Sequence, residues 1–286
     1  MLGAIAGDII GSVYEGFAFK RTEFPLFVPE CEFTDDTVLT FAVADSLLTG
    51  APYVDKFHEY ARAYPHRGYG GRFMEWIESG SRQPYNSWGN GSAMRVSPVG
   101  WAFGTLDETL TEAARSAEVT HNHPEGIKGA QATASAMFLA RQGESKAGIR
   151  EFIQTRFGYN LNRTIESIRP GFGFDESCQG TVPEAIIAVL DSASYEDTVR
   201  LAISLGGDAD TLACIAGGIA EAFYGGVPKD IAERVMAKLD DGLYFPFSPS
   251  VGDFYAPGLT EAALRDAVTK KEPIGRPRRV EATPLW

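Results

Sequence analysis

Two short acidic clusters stand out in the 286-residue chain for the chemistry their side chains could do. The first is Phe33-Thr34-Asp35-Asp36-Thr37, the second Gly206-Gly207-Asp208-Ala209-Asp210-Thr211. Adjacent or alternate carboxylates repel one another, and the repulsion costs stability unless a cation or positive group lies between them. Hard divalent ions such as Mg²⁺ take carboxylate, hydroxyl and water oxygens. Asp and Thr presented from two turns would make an oxygen-rich site with positions left open for water or substrate. The same residues are favoured helix caps, so either cluster alone reads equally well as capping. Two clusters, each doubled in Asp and followed by Thr, tilt the reading to metal.

Three further features carry weaker signals. Glu15 closes a glycine-rich apolar stretch, Gly7 to Gly16, where a carboxylate could serve as general acid or base or simply face solvent at a helix end. Trp88-Gly89-Asn90-Gly91-Ser92-Ala93-Met94-Arg95 has glycines whose exposed N–H groups could cradle a phosphate, with Arg95 to neutralise it. Asn-Gly is equally a common turn signal. In Thr120-His121-Asn122-His123-Pro124 the histidines at i and i+2 could bind metal, although such pairs more often cap helices or sit on surfaces.

The elements that must position these residues read as helices. Leu2, Ile5, Ile9 and Val13 recur at helical spacing, with Gly3, Gly7 and Gly11 in a parallel stripe that lets another backbone approach closely. This predicts a central helix rather than a peripheral one. Leu39, Ala42, Val43 and Leu47 mark a second helical face. Ile127, Ala130, Ala134, Met137 and Phe138 mark a third. Leu212, Ile215, Ile219 and Phe223 mark a fourth, stopped by Gly225-Gly226. Shorter helices are expected at about 54–64, 107–118, 146–157, 183–191, 195–205, 228–239 and 260–270. Phe24 to Val28 is apolar but bracketed by Pro25 and Pro29, which argues against a strand. The expected architecture is all-α, one domain over 1–286, with 270–286 a locally basic surface tail.

Composition is that of an ordinary globular protein, 44% apolar and 22% charged. No apolar run reaches the ~20 residues of a membrane helix, and the start of the chain does not read as a signal peptide. A net charge of −12 argues against a nucleic-acid scaffold as partner, because phosphate binding needs a basic face. Cys31, Cys178 and Cys214 are widely spaced and odd in number, which fits free thiols in a reducing, cytoplasmic setting. Oligomeric state cannot be read from these features.

Taken together, GAIAGDIIGSVYEG, FTDDTVLT, RGYGGRF, SWGNGSAMRVSPVG, the Thr120-His121 pair and SLGGDADTLACIAGGIAEAFYG resemble the ADP-ribosylglycohydrolase family. The likeness runs from Gly3 to about Gly226, and the pair TDDT and GGDADT around GNGSAMR is its most specific part. The resemblance implies an orthogonal all-α bundle with two divalent cations, Mg²⁺ or Mn²⁺, in a cleft. By motif position it makes Thr34, Asp35, Asp36, Asp208, Asp210 and Thr211 metal ligands, and Glu15 or Asp35 the acid/base group. It assigns Ser87, Trp88, Gly89, Asn90 and Gly91, with Ser92 beside them, to a loop around the diphosphate and distal ribose of an ADP-ribose moiety. His121 becomes a substrate-side residue, and His123 takes no role. The implied activity is hydrolysis of the N- or O-glycosidic bond from ADP-ribose to a protein side chain, arginine or serine. Alternatives are a hydrolase of another ADP-ribose or nucleotide conjugate, and a non-catalytic, crystallin-like or ADP-ribose-binding relative.

Overall fold

The computed structural model describes residues 1–240, 242 and 243. Among them are helices and loops, and no strand. The helices are α1 (Leu2–Gly11), α2 (Asp35–Thr49), α3 (Tyr53–Ala63), α4 (Gly71–Glu78), α5 (Gly91–Met94), α6 (Ser97–Ala102) and α7 (Leu106–Glu118). They continue with α8 (Pro124–Arg141), α9 (Lys146–Phe157), α10 (Ile165–Ile168), α11 (Cys178–Asp191), α12 (Tyr195–Ile203), α13 (Ala209–Tyr224) and α14 (Lys229–Met236). No described helix is long and apolar enough to cross a membrane. The helix expected at 260–270 and the expected tail lie outside the described residues.

At the centre α1 lies directly against α13. Both are buried almost all round, as their continuous apolar composition requires. The contact is backbone to backbone. A Cβ on Gly3 would stand 2.4 Å from the Gly217 carbonyl oxygen, and one on Gly11 2.5 Å from the Asp210 Cα. On Gly7 it would stand 2.0 Å from the Ala213 carbonyl oxygen. The glycine stripe thus does what its spacing suggested, and α1 is central. Around this pair pack α2, α8, α11 and α12, joined by a core that includes Phe41, Phe57, Met137, Ile186 and Tyr195.

Local signals account for most helix ends. Thr34 caps α2, accepting from the Asp36 N–H, and α2 stops at Gly50 in the left-handed region (φ 71°). α13 ends on Gly225 (φ 78°), the stop expected from Gly225-Gly226. The main departure is α11. Helix was expected from Pro183, a residue that often opens helices, yet α11 begins at Cys178 under a Ser177 cap and runs through Pro183. The short helices α4, α5, α6 and α10 were not anticipated, since four to eight residues carry too little periodicity to read. All three cysteines are buried and free.

Candidate functional site

The α1–α13 contact brings the two acidic clusters together, although more than 170 residues separate them in sequence. Asp35 and Asp36 open α2, and Asp208 and Asp210 stand at the start of α13, with the Gly206-Gly207 turn leading in. Both glycines of that turn are left-handed (φ 69° and 71°). A Cβ on Gly207 would also stand 2.6 Å from the Gly173 carbonyl oxygen, so glycine is required twice over. Thr211 Oγ1 donates to Asp36 Oδ2 at 3.2 Å, a direct link between the clusters. Glu15, Asp208 and Asp210 bring carboxylate oxygens within 4.8 Å of one another, an arrangement that could hold a metal ion.

Asp8, the one acid of α1, organises the first cluster. It lies fully buried on α1. Its Oδ1 accepts from Thr34 Oγ1 at 2.7 Å. Its Oδ2 accepts from the N–H groups of Thr34 and Thr37 at 3.0 and 3.1 Å, and from the Thr37 hydroxyl. One carboxylate thereby satisfies the exposed donors at the start of α2 and turns the Thr34 hydroxyl proton away from the cleft. The available signal was a single acid in a helix otherwise apolar on every face.

The electrostatics are one-sided. Burial raises Asp36 and Asp210 well above the ordinary carboxylate range, and neighbouring carboxylates push them further. Asp35, half-buried in the cleft wall, is raised well above it too, by lost hydration and then by Asp8, Asp208 and Glu15. Asp8 is raised by burial, against its four hydrogen bonds. Glu15 reaches solvent at the cleft mouth, but partial burial, Asp208 and Asp8 still move it up. Asp36 Oδ1 is a buried acceptor with no partner. Beside the Cys214 thiol and among other carboxylates, such an oxygen suits a bound cation or, without one, a retained proton.

A pH dependence follows. Each of these groups has a folded pKa above its unfolded value, so its stabilising contribution is complete below the ordinary value and is lost as pH rises through the raised one. In chelator, the melting temperature should therefore fall as pH rises from about 4, the ordinary carboxylate value, into the neutral range, and added Mg²⁺ should abolish the fall. Calorimetric melts at several pH values, with and without the ion, would show it. A chelated protein that gains stability over that interval would contradict it.

The loop from Ser87 to Gly91 forms the opposite wall of a cleft of about 270 Å³, lined also by Glu15, Asp35, Asp36, His121, Asp208 and Asp210. It is pinned to the segment before α11 by Asn90 N–H to the Glu176 carbonyl (2.7 Å) and Cys178 N–H to the Trp88 carbonyl (3.0 Å). Asn90 Nδ2 donates to Asp208 Oδ2 at 2.6 Å and to Thr181 Oγ1 at 3.0 Å, tying the loop to the second acidic cluster. Trp88 is exposed on the rim. Two expectations about the loop change. Gly89 N–H is spent on Ser87 Oγ and Asn90 N–H on Glu176, so fewer amides are left to cradle a phosphate than the glycines suggested. Gly91 instead leaves room for His121, whose Nε2 would lie 3.2 Å from a Cβ there.

Ser92 does not line the cleft, and Arg95 borders it with its guanidinium engaged in the interior. Ser92 is fully buried, and its hydroxyl donates to the Gly126 carbonyl at 2.7 Å, because α5 turns it into the interior. Arg95 is also fully buried, stacked 4.2 Å from the Phe57 ring, with Nη2 donating to Thr120 Oγ1 at 2.7 Å and to the Ser116 carbonyl at 3.3 Å. One helical turn beyond the loop is enough to aim a side chain away from a ligand. His121 lines the cleft, whereas His123 caps α8, its Nδ1 accepting from the Glu125 N–H.

Comparison with known proteins places the chain in a family. Residues 1–251 match the ADP-ribosylglycohydrolase family. The chain is 28% identical to the ADP-ribosylhydrolase ARH3 of Mus musculus, over 79% of this chain and 82% of that one. It is 26% identical to the ADP-ribosylarginine hydrolase Tri1 of Pseudomonas putida, over 82% and 72% respectively. A solved structure described as an ADP-ribosylglycohydrolase-related protein complex superposes with a TM-score of 0.66 at 25% identity, covering 93% of this chain and 97% of that one.

Proposed function

The chain belongs to the ADP-ribosylglycohydrolase family and is a hydrolase of ADP-ribose conjugates, and on that footing we propose that it uses divalent cations to cleave the N- or O-glycosidic bond between ADP-ribose and a protein side chain, arginine or serine. The observation that supports this best is the facing of two buried acidic turns across a cleft whose other wall is the Ser87–Gly91 loop. Thr34, Asp35, Asp36, Asp208, Asp210 and Thr211 would hold the cations, two Mg²⁺ or Mn²⁺. Such ions, when bound, act as Lewis acids on water and on sugar hydroxyls.

The chain's own residues supply the rest. The loop and His121 bind the diphosphate and ribose, and the exposed Trp88 ring offers a face on which a base can stack. Glu15, raised by partial burial and by Asp208 and Asp8, accepts a proton from the water that adds to the anomeric carbon and returns it to the acceptor nitrogen or oxygen as that bond breaks. Asp35 is the second candidate for that proton. The surrounding carboxylates balance the positive charge that develops on the ribose.

The test is release of ADP-ribose from an arginine-linked and a serine-linked peptide, each with Mg²⁺ and with chelator. Release from at least one peptide, abolished by chelator, is expected. Release that survives chelation would remove the metal from the reading. Tight binding of ADP-ribose without release from either peptide would point to another conjugate.

A further inference from the structure

Arg95, Thr120 and His121 form a buried chain that ends at the cleft. The guanidinium carries donors only, so Thr120 Oγ1 accepts from Arg95 Nη2 at 2.7 Å. The same oxygen lies 2.7 Å from His121 Nδ1. Tyr85 also hydrogen-bonds Thr120. With Arg95 and the Tyr85 hydroxyl donating to its two lone pairs, the Thr120 hydroxyl keeps its one proton for the imidazole nitrogen beside it. Nδ1 is then the acceptor, and in a neutral ring the remaining proton sits on Nε2. That nitrogen is the one facing Gly89 and Gly91, 3.7 and 3.2 Å from where their Cβ atoms would be.

We propose that Arg95 and Thr120 are positioning residues that fix His121 as the neutral Nε2–H tautomer, a permanent hydrogen-bond donor to an oxygen of the bound substrate. His121 is thereby neither a proton carrier nor a metal ligand. The proposal deepens the functional reading, because it takes the oxygen to belong to the diphosphate or ribose held by the Ser87–Gly91 loop.

The surroundings favour the neutral ring. His121 is buried near Arg95, just after α5, and Arg72 on α4, two cations that oppose a third charge. Tyr85, whose hydroxyl is pushed up to about 12, adds an uncharged ring at 6.1 Å. The Cys178 thiol beneath the loop is likewise pushed up to about 12 and stays protonated. The cleft it lines also holds Asp35, Asp36, Asp208, Asp210 and Glu15, yet burial and the two arginines prevail and move the ring well below its ordinary value. Arg95 itself is anchored from both sides, by Phe57 and by the Ser116 carbonyl, so the chain has a rigid origin.

Long-range ¹H–¹⁵N spectra can read the tautomer directly, since the chain has only four histidines to distinguish. The wild-type His121 should show the Nε2–H pattern, unchanged from about pH 5 to pH 8. Thr120→Val, which keeps the volume and removes the hydroxyl, should give a mixture of tautomers, and Thr120→Ser should restore the single form. With a cleavable substrate, Thr120→Val should raise KM about tenfold with kcat little changed, and Thr120→Ser should reverse it. An Nδ1–H ring, or a His121 that titrates near 6.5 in the wild type, would overturn the proposal. A wild-type Nε2–H tautomer that Thr120→Val leaves intact would remove Arg95 and Thr120 from it. Because the spectra need no turnover, a protein that cleaves nothing tests the proposed function separately.

Discussion

Replacing Asp36 by Asn should lower hydrolysis by about three orders of magnitude and, in the same protein, raise the melting temperature measured in chelator. The two effects share one cause. Asp36 Oδ2 accepts from Thr211 Oγ1, while Oδ1 is buried without a partner and faces other carboxylates. An amide in its place can still accept from Thr211. Its NH₂ group would fill the orphaned position as a donor among acceptors. Relief of one buried unsatisfied group is worth about 1 kcal/mol or more, or about 2–4 °C per kcal/mol in a chain of this size. Removing a charged ligand from a Lewis-acid site forfeits several kcal/mol in the transition state, and each ~1.4 kcal/mol is tenfold in rate. Added Mg²⁺ should shift the wild-type melt upward and the variant's much less. Rates and melts on the same preparations would decide it. An active variant, or one that melts lower in chelator, would show that the cluster is a set of caps.

Gly7→Ala should destabilise the protein by about 3 kcal/mol, near the upper end for overpacking. On propensity alone alanine would favour the helix by about 1 kcal/mol, so the sign itself is informative. The added methyl would meet the Ala213 carbonyl oxygen at 2.0 Å, its carbon at 2.3 Å and the Cys214 nitrogen at 2.7 Å. All three are backbone atoms and cannot rotate away. The helices must part, and with them Asp35 and Asp36 from Asp208 and Asp210. A melting temperature about 6–12 °C lower is expected, with lower activity in the fraction still folded. Gly104→Ala, where a Cβ meets nothing within 4 Å, is the control and should lie within about 0.5 kcal/mol of wild type. A Gly7→Ala protein as stable as that control would mean the two backbones are not in contact.

The sequence made some of this visible and concealed the rest for identifiable reasons. Asp35-Asp36 and Asp208-Asp210 could be read because two doubled acidic clusters, each followed by Thr, exceed what capping needs, and the glycine stripe because its period matches the helix. Asp8 could not, since its significance lies in Thr34 and Thr37, donors that only the fold brings to it. Arg95 misled in the opposite direction. Next to glycines it looked like a phosphate ligand, but α5 turns it onto Phe57 and Thr120. His121 and His123 differ only in which side of the turn they occupy, one in the cleft and one capping α8. A pattern of residue types tells what chemistry is affordable, and direction of projection decides which residues perform it.

The bare backbone contact between α1 and α13 also bears on how such a site can change over many generations. In most cores a substitution is absorbed by neighbours that repack, and spacings between helices wander as sequences diverge. At Gly7 and Gly11 the facing atoms of α13 are all backbone, and only at Gly3 does a side chain, Glu221, stand between the helices. The separation of the two acidic turns is thus insulated from mutational drift elsewhere in the chain. Variation that alters what the enzyme accepts has to enter at the loops, where Trp88 and Phe174 stand exposed on the cleft walls. Anyone redesigning the specificity of this scaffold has the same freedom and the same boundary.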